Sequence, residues 1–305
     1  MTKKRITELA PAQMPIPISN PDKVFWPNEG YTKGDLVEYY RAIFPQLLPY
    51  VKDRMLSLER CPDGMRGECF YQKQKPQSMP PGTPTKRLEH VGGTGKFTDY
   101  VVGGSLVTQL ALTNLGCIAV HVMASRVNSA RQPDWVCIDI DPESGLFADA
   151  ARAAFHVKAA LDVLKLVSYP KTSGSRGLHV MVPIRVGPDA DQVLAFARSF
   201  VLRVASAHPQ ELTVEHMVAA RRGRVYLDPF RNGFGQTVVA PFSVRHREKA
   251  PISRPLDWSE VKPALIPSDY NLGNFAAWLG PADPWSDFFE NRQSLEDADR
   301  LLNRL

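Results

Sequence analysis

The stretch Trp135-Val-Cys-Ile-Asp-Ile-Asp-Pro142 is apolar up to Ile138 and then carries two aspartates, as expected of a buried strand that ends at a polar edge. From this stretch onward the chain alternates in the order strand, helix, strand, strand, helix, strand. This order is the split βαβ arrangement of ferredoxin-like and RRM-like sheets, so it predicts an α+β fold. The later segments are a helix at 148–166, strands at 166–170 and 178–184, a helix at 191–207 capped by Asp189, and a strand at 224–228.

The region before this sheet has its own pattern of helix and strands. Residues 32–51 predict a helix that Thr32 caps, with an apolar face formed by Leu36, Tyr40, Ile43 and Leu47. Strand-like runs follow at 55–59, 68–72 and 117–124, whereas the proline-rich segment 75–84 is predicted to be an exposed loop. The polar tail, 281–305, predicts a terminal helix.

The chain is basic, with 37 lysines and arginines against 32 acidic residues and a formal charge of +5. The positive residues form three clusters, which are Lys3, Lys4 and Arg5, then Arg221, Arg222 and Arg224, and then Arg245, Arg247 and Lys249. Such a balance is compatible with a polyanionic partner, although many ordinary soluble proteins share it.

Cysteine usage and hydropathy indicate a cytosolic protein that does not associate with membranes. Cysteines 61, 69, 117 and 137 form no C-x-x-C pair and have no metal-like spacing with histidine, so we expect reduced thiols in or near the core. No apolar run approaches the roughly 20 residues of a membrane span. The basic N-terminus lacks the apolar stretch of a signal peptide.

Asp139 and Asp141 are the strongest local signal for chemistry. Side chains on a strand alternate between faces, so these two carboxylates point the same way with Cα atoms roughly 6.5 Å apart. Such a pair can hold one or two hard cations. Taken alone, a D-x-D pair is more often a solvated strand end or a helix cap, and it also occurs in sugar-nucleotide glycosyltransferases.

The segment from Lys171 to His179, KTSGSRGLH, is a second candidate and lies between two predicted strands. Gly174 and Gly177 would let backbone amides approach an anion, and the serines and Arg176 add hydrogen-bond donors. A solvated Ser/Gly hairpin and a structural histidine are the alternatives. It is not a Walker loop, because no G-K-[ST] closes it, and GGTGK at 92–96 lacks the final hydroxyl residue as well.

Asp228 ends the last strand of the predicted sheet and is the third candidate. Because that strand belongs to the same sheet as 135–140, Asp228 could complete a cluster of three carboxylates. Arg231, Arg245 and Arg247 follow it and could clamp phosphates. An aspartate before a proline is, in isolation, usually a turn residue.

Together these blocks resemble the polymerase domain of bacterial ligase D, in the archaeo-eukaryotic primase superfamily. The matching blocks are D-I-D-P, T-S-G-S-R-G-L-H, D-x-x-R-N-G and APFSVR, preceded by SNPDKVFWP, YTKGDLVEYY, RCPDG and FYQKQ. The resemblance covers roughly residues 15–280. It implies a single primase-type catalytic domain, 1–305, with an N-terminal α/β subregion at 1–130, a palm at 131–250 and a C-terminal extension at 251–305.

The resemblance also implies roles for individual side chains. The implied catalytic metal ligands, for Mn²⁺ or Mg²⁺ at a two-metal site, are Asp139, Asp141 and Asp228. The implied nucleotide-binding residues are His121, Ser173, Arg176, His179, Arg231 and Arg245, with His121 near the sugar. The implied DNA-binding residues are Lys23, Lys33, Arg60, Phe70, Tyr71, Lys73 and Arg221; the first two grasp a 5′-phosphate, and the aromatic pair stacks near the template base.

Two positions depart from the family pattern. Position 176 is Arg where the family often has Lys, so the geometry of a phosphate contact could shift. The family usually has an acidic residue two positions before the histidine at 121, whereas this chain has Ala119. We therefore expect a supporting contact to His121 to be missing.

The implied function is template-directed nucleotidyl transfer that fills short gaps and extends DNA ends in break repair, with a preference for ribonucleotides. The implied partners are 5′-phosphorylated gapped or overhanging DNA, NTP or dNTP, Ku and a DNA ligase. The alternative is a DNA end-binding module without catalysis. No K-x-D-G ligase motif occurs, so either a separate polymerase or one domain of a larger ligase fits.

Overall fold

The computed structural model describes residues 16–90, 93, 95–279 and 283–304. The basic cluster Lys3, Lys4 and Arg5 and part of the glycine-rich segment 92–96 lie outside these ranges. The first half contains strands and helices β1 (Val24–Trp26), β2 (Tyr31–Thr32), α1 (Lys33–Val51), β3 (Arg54–Arg60), β4 (Phe70–Gln72), β5 (Thr85–Glu89), β6 (Phe97–Val101), α2 (Leu106–Asn114) and β7 (Cys117–Arg126). The second half contains β8 (Trp135–Pro142), α3 (Phe147–Val163), β9 (Tyr169–Thr172), β10 (Leu178–Pro183), α4 (Ala190–Ala207), β11 (Leu212–Thr213), α5 (Val218–Arg221), β12 (Val225–Asp228), β13 (Val238–Val239), α6 (Phe275–Trp278) and α7 (Leu295–Leu302).

Helix α1 begins and packs as its sequence predicted. The hydroxyl of Thr32 accepts a hydrogen bond from the N–H of Asp35, and the Asp35 carboxylate accepts one from the N–H of Thr32. This reciprocal capping satisfies N–H groups that the first helical turn leaves free. The apolar side of α1 is buried, including Leu36, Ile43 and Leu47.

The first large sheet has the strand order β13-β7-β3-β4 and is antiparallel throughout. One face, represented by Leu58 and Val120, packs in a core that α1 and α2 share. The opposite face carries Ser57, Glu59 and His121. This second face borders the candidate site described below.

The second large sheet, the palm, has the strand order β11-β12-β8-β10-β9. Strands β12, β8, β10 and β9 are antiparallel neighbours in the order 4-1-3-2, which is the predicted split βαβ arrangement. Helices α3 and α4 cover one face of the palm. The two-residue strand β11 was not predicted, because so short a segment has no readable alternation.

Strand β8 is buried on both faces along most of its length and carries two aspartates near its end. Its even positions, such as Ile138 and Ile140, face α3 and α4. Its odd positions, beginning with Trp135 and Cys137, face the core of the first sheet. The next odd positions are Asp139 and Asp141, which the alternation carries to the same side of the palm.

The segment after β12 returns to the first sheet. Strand β13 pairs with β7, so residues near 238 belong to the first sheet although they fall within the palm interval predicted at 131–250. The tail also differs from prediction, because only Leu295–Leu302 is helical. Before that helix, Trp285 and Phe288 stack with ring centroids 5.2 Å apart in the first core.

Cys61 and Cys69 form a disulfide with Cα atoms 4.4 Å apart, so the expectation of four reduced thiols was wrong for this pair. The antiparallel pairing of β3 with β4 brings the end of one strand to the start of the other, which spacing alone does not reveal. His246 approaches the Cys69 sulfur to 3.4 Å, but the disulfide leaves no thiolate there for a metal. Cys117 and Cys137 are free and buried, as expected.

Among the described residues, no helix combines the length and apolar character needed to cross a bilayer.

Candidate active site

Four titratable side chains form a row across the palm. Asp228 on β12 pairs directly with Asp139 on β8, and Asp139 pairs with His179 on β10. His179 pairs in turn with Lys171 on β9. Directly paired residues project from the same face of a sheet, as does Asp141 two positions along β8. The structure thus brings the three predicted aspartates to one face.

Asp139 is an ionised carboxylate held by two neighbours. Its Oδ1 lies 3.3 Å from Nε2 of His179, and its Oδ2 accepts a hydrogen bond from Nε of Arg231 at 3.2 Å. Burial opposes the charge, but His179 and Arg231 hold the pKa of Asp139 well below its ordinary value. Burial, with the charge of Lys171, lowers the pKa of His179 to about 4, so the imidazole is neutral at pH 7.

Arg231 lies between two carboxylates. Its Nε is 3.2 Å from Asp139 and 3.7 Å from Oδ2 of Asp228. Burial raises the pKa of Asp228, and the nearby Asp139 charge raises it further, while the N–H of Phe230 opposes the shift. Arg231 therefore balances charge at the point where two like charges come closest.

Arg221 contacts the remaining aspartate. Its Nη1 donates to Oδ2 of Asp141 at 2.9 Å, and its other nitrogens donate to the carbonyls of Glu215 and His216. The guanidinium also lies over the ring of Tyr226, 4.3 Å from its centroid. Arg221 was predicted as a DNA contact, and the structure places it against a predicted metal ligand.

Asn232, for which the sequence predicted no role, holds the Asp228–Arg231 turn in place. Its Nδ2 donates to the carbonyls of Cys137 at 2.8 Å and Pro229 at 2.7 Å, and its Oδ1 accepts from the N–H of Cys137 at 2.8 Å. The side-chain amide thus satisfies both backbone groups of Cys137 on β8, as the backbone of a neighbouring strand would. In the sequence, only its place in the D-x-x-R-N block pointed to a role for Asn232 in the site.

The turn between β9 and β10 is held together by Ser173. Its Oγ accepts hydrogen bonds from two N–H groups of the turn, both at 3.2 Å, and its carbonyl accepts one from Arg245 at 2.7 Å. A Cβ on Gly174 would lie 2.5 Å from Cγ of Arg245, and one on Gly177 would lie 2.2 Å from a β8 carbonyl oxygen. Both glycines are thus required by packing within the protein.

A cleft of about 460 Å³ opens between the palm and the first sheet. It is lined by all three aspartates and by every residue predicted for the nucleotide site, namely His121, Ser173, Arg176, His179, Arg231 and Arg245. His216 and Tyr226 also line it and were not predicted. An anion in this cleft would meet several guanidinium groups as well as the carboxylates.

His121 does have a carboxylate neighbour, contrary to expectation. Glu59 on β3 places its Oε2 3.6 Å from Nε2 of His121. The strand pairing explains this contact, because Glu59 is the direct cross-strand partner of Ala119. Sequence spacing along β7 could not reveal a residue that comes from the adjacent strand.

The predicted aromatic pair is divided between the two faces of β4. Tyr71 lines the cleft and meets His121 edge-on, with ring centroids 5.6 Å apart. Phe70 points the other way and lies under Arg60, 5.3 Å from its guanidinium. Arg60 also donates to the carbonyl of Leu115 and to the side chain of Gln72, so it braces the sheet edge.

Lys23 and Lys33 lie together beside β1 and β2. The backbone N–H of Lys33 donates to the carbonyl of Lys23 at 2.8 Å. The Lys23 ammonium pairs with Asp63 at 2.5 Å, and that of Lys33 donates to the Ser19 carbonyl at 2.6 Å. Burial, together with Lys23, lowers the pKa of Lys33. Lys73 lies elsewhere, where its ammonium donates to a carbonyl on the surface loop at Gly235.

The donor set suits a hard divalent cation. Carboxylate oxygens are preferred ligands of Mg²⁺ and Mn²⁺, and Asp139, Asp141 and Asp228 supply them from one face of the palm. Arg231 and Arg221 contact the same oxygens. A cation bound there would compete with both guanidinium groups.

Known proteins match this chain over most of its length. Residues 32–285 match the family described as "LigD, primase-polymerase domain". The bifunctional non-homologous end joining protein LigD of Bacillus subtilis is 29% identical over 300 residues, which are 97% of this chain and 47% of that protein. The multifunctional LigD of Mycolicibacterium smegmatis is 28% identical over 297 residues, 93% of this chain and 39% of the relative.

A solved structure shares the fold. The polymerase domain from Mycobacterium tuberculosis ligase D, in complex with DNA, aligns with a TM-score of 0.82 at 26% identity and covers 91% of this chain and 99% of that one. The chain spans less than half the length of the two curated relatives above.

Proposed function

The chain belongs to the LigD primase-polymerase domain family, and on that premise we propose that it is a template-directed polymerase that fills short gaps and extends ends during DNA break repair. Members of this family are nucleotidyltransferases of the polymerase type, so the predicted enzyme class and primase-type fold are confirmed. The M. tuberculosis neighbour is bound to DNA, which supports DNA as a partner here.

The observation that carries the proposal is the pairing of Asp228 with Asp139 across β12 and β8, with Asp141 on the same face. Three carboxylates on one sheet line the same cleft as the guanidinium groups of Arg176 and Arg245. The cleft therefore offers ligands for cations together with groups that can bind a polyphosphate anion. Nucleotidyl transfer requires both.

In the proposed reaction, the primer 3′-hydroxyl oxygen attacks the α-phosphorus of the incoming nucleotide in line. The bond to the β-phosphate breaks, pyrophosphate leaves, and the hydroxyl proton passes to solvent. Asp139, Asp141 and Asp228 would hold Mn²⁺ or Mg²⁺, which when bound lowers the pKa of the hydroxyl and stabilises pyrophosphate. Because the pKa of Asp139 is depressed, its carboxylate remains ionised across the physiological range.

The other cleft residues would bind the nucleotide. Arg245 and Arg176 are suited to the triphosphate, since a guanidinium matches phosphate oxygens bidentately. Ser173 and His179 border the same volume. His121 would contact the sugar, consistent with a preference for ribonucleotides.

The DNA contacts are proposed from position and charge. Lys23 and Lys33 contact each other through their backbones, and the Lys23 charge lowers the pKa of Lys33. Their ammonium groups would exchange Asp63 and the Ser19 carbonyl for the 5′-phosphate of a gap or overhang. Lys73 would meet the backbone, and Tyr71 would stack near the template base. Arg60, Phe70 and Arg221, predicted as further DNA contacts, would act mainly through the structure around them.

We propose Ku and a DNA ligase as protein partners of this polymerase, on chromosomal DNA in the bacterial cytoplasm. The relatives named for non-homologous end joining support that setting.

Nucleotide extension on gapped duplex DNA tests the proposal. Duplexes with and without a 5′-phosphate are compared with NTP and dNTP in Mn²⁺ and Mg²⁺. We expect metal-dependent incorporation that favours NTP and the phosphorylated gap. Phosphate-dependent DNA binding without any incorporation would instead identify an end-binding module.

A further inference from the structure

Glu59 and His121 form an enclosed pair on the cleft face of the first sheet. Their nearest polar atoms are 3.6 Å apart, and their side chains are only 13% and 11% exposed. Neither Oε2 of Glu59 nor Nε2 of His121 has a hydrogen-bond partner among the residues that the structure describes. Nε2 of His121 can donate and Oε2 of Glu59 can accept, so a slightly shorter distance between these two atoms would complete a hydrogen bond.

The charges around the pair explain why Glu59 is a carboxylate there. Burial alone would favour the neutral acid, but His121 and Arg245 hold the pKa of Glu59 below its ordinary value. The other titratable and charged groups facing the pair are Tyr71 on β4, Tyr40 on α1, Cys117 on β7, Lys171 on β9, and His246 and Arg247 on the segment after β13. Glu59 is the only carboxylate among these groups.

The imidazole itself is uncharged at neutral pH. Burial lowers the pKa of His121, and Glu59 offsets only part of that shift. A neutral imidazole carries one N–H, and its second nitrogen can only accept a hydrogen bond. If Nε2 carries the hydrogen and points to Glu59, Nδ1 is the acceptor.

We propose that Glu59 is a positioning residue of the nucleotide site, which holds His121 in the tautomer protonated at Nε2 so that Nδ1 accepts a hydrogen bond from the sugar 2′-hydroxyl of an incoming ribonucleotide. The sugar assignment rests on the proposed function, whereas the tautomer does not. Glu59 acts through His121 and does not itself touch the nucleotide.

The pairing of β3 with β7 identifies position 119 as a place where a new carboxylate could substitute for that of Glu59. Ala119 is the direct partner of Glu59 and precedes His121 by two residues on the same face of β7. Side chains paired in this way share the same space, with Cβ atoms roughly 5 Å apart. A carboxylate at position 119 can therefore replace the one at position 59.

The kinetic test compares wild type, Glu59→Val, and Glu59→Val with Ala119→Glu. We expect Glu59→Val to raise the KM for NTP about tenfold, as loss of one hydrogen bond requires, with kcat and the KM for dNTP little changed. The double variant should recover most of the NTP preference. Glu248→Val, which removes an exposed acid from the neighbouring loop, should leave both constants unchanged.

Nitrogen NMR of labelled histidine tests the tautomer independently of catalysis. We expect an Nε2-protonated His121 in wild type and in the double variant, and a mixed tautomer in Glu59→Val. If valine prevents folding, Glu59→Gln keeps the side-chain volume, and loss of the charge should lower the pKa of His121. An unchanged tautomer in Glu59→Val, or an unchanged His121 pKa in Glu59→Gln, overturns the proposal. A wild-type protein that incorporates no nucleotide contradicts the proposed function and the sugar contact, yet leaves the tautomer claim measurable.

Discussion

Asp228 is the direct cross-strand partner of Asp139, so two carboxylates meet at the end of paired strands with one guanidinium, that of Arg231, between them. One guanidinium balances only one of these two negative charges, so the pair still destabilises the folded state until a metal cation binds. The site is thus arranged for binding cations at some expense of stability.

Asp228→Asn should stabilise the protein in the presence of a chelator. The variant removes one like charge, while its amide oxygen can still accept the hydrogen bond from the N–H of Phe230. We expect the free energy of unfolding to rise by about 1 kcal/mol and the stabilisation by Mn²⁺ to be largely lost. Thermal unfolding with chelator and with Mn²⁺ measures both effects. Asp162→Asn, on the exposed side of α3, should keep the full response to Mn²⁺; a full response in Asp228→Asn would count against the cation site.

Asn232→Leu should damage both stability and activity. The substitution leaves the N–H and carbonyl of Cys137 without the amide that now satisfies them. Buried backbone groups without partners cost about 2–3 kcal/mol together, and the turn that places Asp228 and Arg231 would loosen. Urea unfolding and nucleotide extension measure the two losses. Asn303→Leu, near the chain end, is the matched control, and equal behaviour of both variants would remove Asn232 from the site.

Lys171 should make stability depend on pH. The side chain is fully buried, and burial lowers its pKa to about 7. An unfolded lysine titrates near about 10.4, so between these values the unfolded state binds more protons. Lys171 therefore contributes a rise in the free energy of unfolding with pH, of up to about 1.4 kcal/mol per unit.

Lys171→Met should abolish this contribution between about pH 7 and pH 8, below the range in which unfolded cysteines titrate, whatever it does to absolute stability. Urea unfolding of the metal-free protein across this range gives the slope. Lys262→Met removes an exposed lysine and should retain the wild-type slope. An unchanged slope in Lys171→Met would show that the ammonium titrates normally.

Cys69→Ser should destabilise the protein only under oxidising conditions. Cys61 and Cys69 are separated by 8 positions, and closing so short a loop stabilises the fold by about 2–3 kcal/mol. With dithiothreitol present, wild type and variant should unfold at nearly the same urea concentration. Thiol titration of unfolded, unreduced wild type should find two thiols, from Cys117 and Cys137; four would contradict the disulfide.

Much of the fold could be predicted from local sequence patterns. Thr32 and Asp189 cap helices as predicted, and the alternation along 135–141 correctly placed Asp139 and Asp141 on one face. Both features depend on neighbours within a few residues, which sequence reading captures. The predicted strand order of the palm was also correct, because few topologies connect such elements without crossing.

Contacts between distant segments could not be read from the sequence. Glu59 reaches His121, Asn232 reaches Cys137, and Cys61 reaches Cys69 only because particular strands pair in a particular register. Strand register depends on the packing of the whole sheet, so it cannot be predicted from a local sequence pattern. The placement of Phe70 and Tyr71 on opposite faces of β4 could have been predicted from the sequence, because adjacent residues on a strand face opposite ways.

The single-turnover rate of nucleotide addition is the most direct test of the role assigned to the aspartate row. It is measured on gapped, 5′-phosphorylated DNA at saturating Mn²⁺ and NTP, with wild type, Asp139→Ala and the control Asp162→Asn. We expect Asp139→Ala to lose more than about a hundredfold in rate while it binds the DNA normally. An Asp139→Ala rate within a few-fold of the control would contradict catalysis by this row.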